Sequence, residues 1–579
     1  MPLTVVKCGF CTDPSDEYLP EIKNLYENVS EELILLVPDH FSYLAEKRIC
    51  DTVGGVGLSN ITVLTLHQMV RSLSDNNRLL SDVGKQMLIK KSLMSLDENN
   101  IFSRSRNKPG FIGEILGTVS MWKSHKLDER ELKKSAENIS TELLAEKLMT
   151  TADIYADYKT LIEESGCIDD SDELKLAADE IRANPKYKNA YIWVDEFGRF
   201  SPMELDIISA FLECGANIKI YLPIDDDDFV KEDAPYTVST YYELMKMCSE
   251  RGFEFSSRTA TAKKKMSEDL LFLCQTYSSS EVYGGRDRSI SLMIADDIYS
   301  ETEKVASEII DLVKDDGYKF SDIAVMCGGL ESYTSCLEAI FEGYNIPYFS
   351  DYKVPLSGHP ISILILSVFE IVEGKKFPLR SMIRYLKTGY AAENSDDADM
   401  ICIYASSHNI VGSMWLNPKY FQFERSGFFD GVMGAEEREV ANAEHLERVR
   451  RDIVLPLCAY EERSKGKKTV SEHIEAFFTY LTEINLFDRI EKRVKLCAAS
   501  GDDNEASRLT HVWNILINIF DQMSYSVGHD KITREEFAEY LKAGIEGSSI
   551  SIIPTVTNGV AVSDSSRRSG AAVKALFIL

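Results

Sequence analysis

Leu33-Ile34-Leu35-Leu36-Val37 is an unbroken aliphatic run, closed by Pro38-Asp39. A strand with one wet face alternates apolar and polar side chains. A run without alternation is apolar on both faces, the signature of a parallel strand covered by helices above and below. The same pattern repeats outward from this run. Upstream, Leu3 to Cys8 reads as a strand and Gly9 as a turn, and a helix begins near Ser15 with Tyr18, Leu19, Ile22 and Leu25 at helical spacing. Downstream, a helix passes through Ala45, Ile49 and Val53, and Ile61-Thr62-Val63-Leu64-Thr65 is a third strand. Further strands are expected at Ala190-Tyr191-Ile192-Trp193-Val194-Asp195 and at Ile218 to Leu222. Apolar strands alternating with helices define an α/β fold with a parallel sheet.

Around residue 80 the period turns helical, and 80–185 reads as a helical insertion. Residues 255–290, rich in Ser, Thr, Lys and Gly, read as a linker. A second α/β unit follows: a strand at Ile290-Leu292-Ile294, a helix from Glu303 to Leu312, a strand at Ile323 to Met326. Residues 375–545 are mostly helical, and strand patterns return at 550–553, 559–562 and 573–579. The expected organisation is a first α/β domain (1–79 plus 186–255) around insertion 80–185, then a linker (256–287). A second α/β domain (288–374 plus 546–579) follows, around insertion 375–545. The closing apolar run Ala575 to Leu579 has the character of a central strand, so the functional form is expected to continue beyond it.

The chain has 579 residues, 44% hydrophobic and 27% charged, the balance of an ordinary globular protein. Its formal charge of −29 excludes a whole-surface DNA binder, because phosphate neutralisation dominates such binding; a local basic groove remains open. No signal-peptide pattern and no long uncharged apolar segment is present, which predicts a cytoplasmic protein with no membrane partner. The cysteines are scattered; only Cys8 and Cys11 form a C-x-x-C pair, and no zinc spacing is present. Reduced, mostly buried thiols are the expectation.

Two α/β units, each split by a helical insert, resemble superfamily-1 helicases, and the local phrases resemble one branch, the B subunit of AddAB-type ATP-dependent helicase/deoxyribonucleases. The phrases, in order, are Leu36-Val37-Pro38-Asp39-His40-Phe41-Ser42-Tyr43, Val63-Leu64-Thr65-Leu66-His67-Gln68-Met69, Pro109-Gly110-Phe111-Ile112, and Ile192-Trp193-Val194-Asp195-Glu196-Phe197-Gly198-Arg199-Phe200-Ser201-Pro202-Met203-Glu204. Ile323-Ala324-Val325, Ile346-Pro347-Tyr348-Phe349 and His359-Pro360 follow. The resemblance implies two helicase-like domains in a DNA-repair and recombination complex with helicase and exonuclease activity. The partners it implies are an ATP-hydrolysing A subunit, in a heterodimer, and DNA. ATP, magnesium and an iron–sulfur cluster are expected only in the full complex.

The resembled family carries a phosphate loop of the form Gly-Arg-x-Gly-x-Gly-Lys-Ser/Thr. Gly9 to Asp16 stand at those positions and keep only the first glycine. Ser15 replaces the lysine, Pro14 removes a backbone donor, and Asp13 and Asp16 add negative charge. A degenerate ATP loop made of Gly9, Ser15 and Asp16 is therefore expected, with Asp195-Glu196 at the position of a magnesium ligand and a water-activating base. The same pair also reads as strand-end carboxylates ahead of a helix starting at Ser201-Pro202. No nuclease centre is expected: Glu173-Leu174-Lys175 reads as a capped helix start after Asp169-Asp170-Ser171-Asp172, and Asp225 to Asp228 as a solvated acidic loop. The resemblance places candidate DNA contacts at His40, Ser42, Thr65, His67, Gln68 and Arg71. Three functions stay open: a non-motor scaffold of a helicase–nuclease, an autonomous DNA-stimulated ATPase using Asp195 and Glu196, and an adaptor with no DNA role.

Overall fold

The computed structural model describes residues 2–9, 12–38, 41–54, 60–73, 78–106, 108–225, 235–261, 266–276, 281–350, 352–373, 377–422, 435–501, 503–550, 558–565 and 573–579. Among them, no helix is long and apolar enough to cross a membrane. The chain is a mixed α/β structure with parallel sheets and many helices.

The first sheet is formed by β1 (Pro2–Lys7), β2 (Leu33–Leu36), β3 (Ile61–Leu64), β6 (Tyr191–Val194), β7 (Asn217–Leu222) and β8 (Glu254–Thr259). Their order is β3-β2-β6-β7-β1-β8, and every pairing is parallel. Alternate side chains feed two separate cores. Leu3, Val5, Ile34, Leu36, Ile192, Val194, Ile218 and Ile220 pack on one face, against Ala177, Ile181, Ile207 and Phe211. Val6, Leu33, Leu35, Val63, Trp193 and Tyr221 pack on the other, against Tyr18, Ile22, Ala45 and Ile49. The aliphatic run at 33–37 is buried throughout because both faces are covered.

Residues 254–259, where the composition predicts the start of a linker, are instead the outer strand β8, paired with β1 over its whole length. Its composition, Glu-Phe-Ser-Ser-Arg-Thr, is polar because an edge strand is mostly solvated, and polarity without an apolar face reads as loop. A helix at Glu268–Thr276 also lies inside the expected linker.

Residues 82–183 are helical apart from short connections, with β4 (Arg78–Leu79) and β5 (Cys167–Ile168) forming a brief parallel ladder at their base. The helices between residues 360 and 546 are joined by the two-residue ladders β11 (Val354–Pro355) with β14 (Ser549–Ile550), and β12 (Lys468–Thr469) with β13 (Lys531–Ile532). These two helical regions, far apart in sequence, share one hydrophobic core that includes Met87, Tyr158, Phe369, Trp415, Phe477 and Phe537. Polar contacts cross it as well: Lys90 donates to Glu539 at 3.0 Å, and the Ser81 amide donates to Gln522 at 3.0 Å.

The second sheet has four parallel strands, β9 (Ile323–Cys327), β10 (Tyr348–Ser350), β15 (Val560–Asp564) and β16 (Ala575–Ile578), in the order β10-β15-β9-β16. One core covers it, where Val325, Val560 and Val562 meet Val305, Ile309, Leu337 and Phe341. The strand expected at Ile290-Leu292-Ile294 does not form. This stretch pairs with no strand among the described residues, and Leu292 and Ile294 are 92% and 93% exposed.

Candidate functional site at the strand ends of the first sheet

In a parallel sheet, polar loops gather at the carboxyl ends of the strands, where helix amino termini converge. β1 delivers Cys8 and Gly9 to this edge, and the helix Ser15–Asn28 starts just beyond. Phe10 and Cys11 lie outside the described residues. Asp13 accepts hydrogen bonds from the Ser15 amide at 3.0 Å and the Ser15 hydroxyl at 2.7 Å, so it caps the helix start. Its carboxylate also lies 3.6 Å from Arg48 on the neighbouring helix. Asp16, in the first turn, is exposed, where it offsets the helix dipole. Ser15 is buried.

The space above Gly9 is taken. A Cβ placed on Gly9 would lie 2.1 Å from both carboxylate oxygens of Asp225, at the end of β7. A side chain at position 9 would have to displace the Asp225 carboxylate, which packs directly on the Gly9 Cα. Asp225 is a half-buried loop residue that also packs on Gly9, and the acidic pattern from Asp225 to Asp228 does not show this contact because β1 and β7 become neighbours only through the sheet order. Residues 226–228 lie outside the described residues.

Asp195 ends β6 and is 4% exposed. It accepts from the Glu196 amide at 2.8 Å and from the Tyr18 hydroxyl. Burial, reinforced by the neighbouring Glu196 charge, pushes its pKa up to about 7. Glu196 adopts a left-handed backbone with φ of 65°, unusual for a residue with a Cβ. The expected helix start follows: Ser201 and Glu204 form a reciprocal capping box with Pro202 in the first turn. Cys8 is buried, and burial followed by the Asp195 charge pushes its thiol up to about 12, so it is held as the neutral thiol.

Ser15 stands where the resembled loop has its lysine, the Asp225 carboxylate covers Gly9, the Asp13 carboxylate caps the helix, and the neighbouring cation Arg48 faces Asp13. Two participants escape sequence reasoning. Spacing marks Tyr18 only as a core residue, and Arg48 carries no local motif.

The loops after β2 and β3 open on the same edge. His40 lies outside the described residues. Ser42 is the first residue of the helix Ser42–Val53. Thr65 is 1% exposed, and it forms a capping box with Gln68: the Gln68 amide donates to Thr65 Oγ1 at 3.1 Å, and the Thr65 amide to Gln68 Oε1 at 3.2 Å. Thr-x-x-Gln is a capping-box pattern visible in the sequence. His67 and Arg71, four apart on the helix Leu66–Leu73, are both exposed on the solvent side. Glu173-Leu174-Lys175 lies in a capped helix start, where Asp169 accepts from the Ser171 and Asp172 amides.

The class these features define is a parallel-sheet α/β protein in which a carboxylate lies over the glycine that follows the first strand. Comparison with known proteins adds what the chain is similar to. Residues 11–273 match the family described as ADDB, N-terminal. The chain is 28% identical to the B subunit of the ATP-dependent helicase/deoxyribonuclease of Clostridium acetobutylicum over 563 residues, 94% of this chain and 48% of that protein. It is 28% identical to the protein of the same name from Clostridium perfringens strain SM101, covering 96% of this chain and 50% of that protein. The Caldanaerobacter subterraneus protein of that name is also 28% identical, over 97% of this chain and 49% of its own length. The match to the ADDB N-terminal family model covers a little under half of the chain, and nearly the whole chain is similar to these helicase/deoxyribonuclease B subunits. The chain spans about half the length of these curated relatives.

Proposed function

We propose that this chain is the non-motor, helicase-like scaffold part of a DNA end-processing helicase–nuclease that acts in recombinational repair. In this reading the two parallel sheets are the cores of two superfamily-1 helicase-like domains, 1–79 plus 186–255 and 288–374 plus 546–579. The intervening helical regions are insertions into them. Single-stranded DNA passes along the strand ends of the first sheet, touching His67 and Arg71, with His40 and Ser42 as further contacts after β2. Thr65 and Gln68 cap the helix after β3 and hold His67 and Arg71 in place. An ATP-hydrolysing A subunit supplies translocation, and ATP, magnesium and an iron–sulfur cluster belong to the full complex.

The observation that carries the non-motor reading is the Asp225 carboxylate seated on Gly9. A polyanion entering there meets the carboxylates of Asp225 and Asp13, with Ser15 standing where the resembled loop carries its lysine. The names of the relatives support the helicase–nuclease context. The test is calorimetric titration of the chain with MgATP beside co-purification with an A subunit. No heat of binding and a stable complex are expected. MgATP binding, with DNA-stimulated hydrolysis lost in Asp195→Ala, would replace this reading with an autonomous ATPase.

A further inference from the structure

The two sheets are joined by more than chain connections. The helix Asp82–Ser95 lies at the centre of the join and is buried along nearly its whole length, Lys85 and Lys90 included. Toward the first sheet, Lys85 pairs at 2.5 Å with Asp170, in the first turn of the helix Asp170–Ala183. That helix carries Ala177, Ala178 and Ile181 into the core of the first sheet. Its cap, Asp169, is buried and accepts from Tyr158 at 3.1 Å and Lys123 at 2.9 Å, both from the helical region.

Toward the second sheet, the helix Asp82–Ser95 packs on two helices of the later region, Asp503–Val527 and Arg534–Glu546. Glycines on both sides bring the backbones close. A Cβ on Gly84 would lie 2.3 Å from Gln522 Oε1, and one on Gly544 would lie 2.8 Å from Ile519 and 3.2 Å from both Met87 and Val83. Lys90 reaches Glu539, and Lys91 lies 2.7 Å from Asp530. Arg78 stands 5.2 Å from the centre of the Tyr525 ring, and the Cys167 thiol donates to the Tyr525 carbonyl at 3.9 Å. Arg78 and Cys167 are paired in the β4–β5 ladder. The helix Arg534–Glu546 runs on into β14, which pairs with β11. β11 starts at Val354, just after β10 of the second sheet ends at Ser350. Leu356 and Ile550, at this ladder, belong to the shared core.

Closing one α/β unit onto another needs a hinge, a few loop residues that absorb the motion while each unit stays packed. Here the route from sheet to sheet runs through close-packed interior, which does not bend continuously. We propose that the two helical regions form a fixed brace that holds the parallel sheets at one separation. The chain then moves as a single body with whatever drives it. That last step rests on the non-motor reading above; the brace itself does not.

The test is the distance between two spin labels, measured by double electron–electron resonance on the full chain. The labels are carried by ketone-bearing residues in place of Lys23 and Ser335, exposed positions on helices that pack on the first and second sheets. A single narrow distance is expected, unchanged within about 2 Å by MgATP or by an oligothymidylate. A broad or bimodal distribution, or a larger shift with either ligand, overturns the brace. Gly544→Leu wedges the two helical regions apart and is expected to broaden the distance. A folded Gly544→Leu chain that keeps the narrow distance also overturns the brace, since something other than the shared core then holds the sheets. If that variant does not fold, the wild-type distances decide alone. If MgATP binds in the calorimeter while the distance stays fixed, the non-motor reading falls and the brace stands.

Discussion

The two parallel sheets are built from the same kind of strand and are finished differently. The first has helices and a core on each face, and its strands β2 and β6 are buried almost throughout. Among the described residues the second has one core, and Leu576 and Ile578, on the other side of its edge strand β16, are 47% and 73% exposed. The apolar stretch at 290–294 pairs with no strand among the described residues. In sequence, Leu33-Ile34-Leu35-Leu36 and Ile290-Ser291-Leu292-Met293-Ile294 ask for similar burial. An apolar run reports a demand for cover; only the rest of the fold decides whether cover arrives.

The largest effect that can break this comparison is truncation on the two sheets. Trp193→Ala, in β6 at 1% exposure, is expected to lower stability by about 3–5 kcal/mol in urea unfolding. Ile578→Ala on the open face should change it by less than about 0.5 kcal/mol. Equal costs would mean that the second sheet is covered in solution.

Next comes pH. The folded pKa of Asp195, about 7, lies above its ordinary value of 3.8, so the folded chain holds that proton more tightly than the unfolded one. The contribution to stability is full below pH 4 and is lost as pH rises toward 7 and beyond, a range worth about 4 kcal/mol at most. Asp195→Asn is expected to remove this dependence and to stabilise the chain at pH 8 relative to wild type. Denaturation midpoints that stay parallel for both proteins from pH 5 to 8 would show that the carboxylate is solvated.

Gly9→Ala should follow, costing about 1–3 kcal/mol as Asp225 is pushed off its seat. Asp225→Ala in that background should recover part of the loss, a coupling that additive, independent sites would not show.

Much of the first sheet is legible because its strands carry their signal locally: the runs at 3–8, 33–37, 61–65, 190–195 and 218–222 all fall on strands within a residue or so. β8 is not, because an outer strand needs no apolar face. The unpaired stretch at 290–294 reads as a strand for the opposite reason. At the site, the loss of the loop lysine is plain at Ser15, whereas the filling of the loop is not. Asp225 meets Gly9 only because β7 lies beside β1, and Arg48 meets Asp13 only because two helices share one face of the sheet. The union of the two helical regions in one core is equally hidden, since periodicity names the buried face of a helix but not its partner.

Smaller effects separate scaffold from contact within the first sheet. Thr65→Ala loses the capping box after β3 and should cost about 1 kcal/mol without changing single-strand affinity, because Thr65 is buried. Arg71→Ala, on the exposed side of the same helix, should do the reverse. A loss of DNA affinity in Thr65→Ala with unchanged stability would return Thr65 to the binding surface.

The smallest change in stability is expected at Leu292→Ser/Ile294→Ser, within about 0.5 kcal/mol, since neither side chain is packed. Its value lies in what amide exchange shows beside it. The β2 amides are hydrogen-bonded inside a sheet covered on both faces and should open only with that sheet, whereas the amides of 291–294 have no ladder among the described residues and only that of Ile290 is held, by Asp269 at 3.2 Å. Wild-type exchange at 291–294 should therefore match that of an open chain, and the double substitution should leave it unchanged. Protection at 290–294 that vanishes in the double variant would mean that those apolar side chains do find a partner surface, and the contrast between the two sheets would become one of degree.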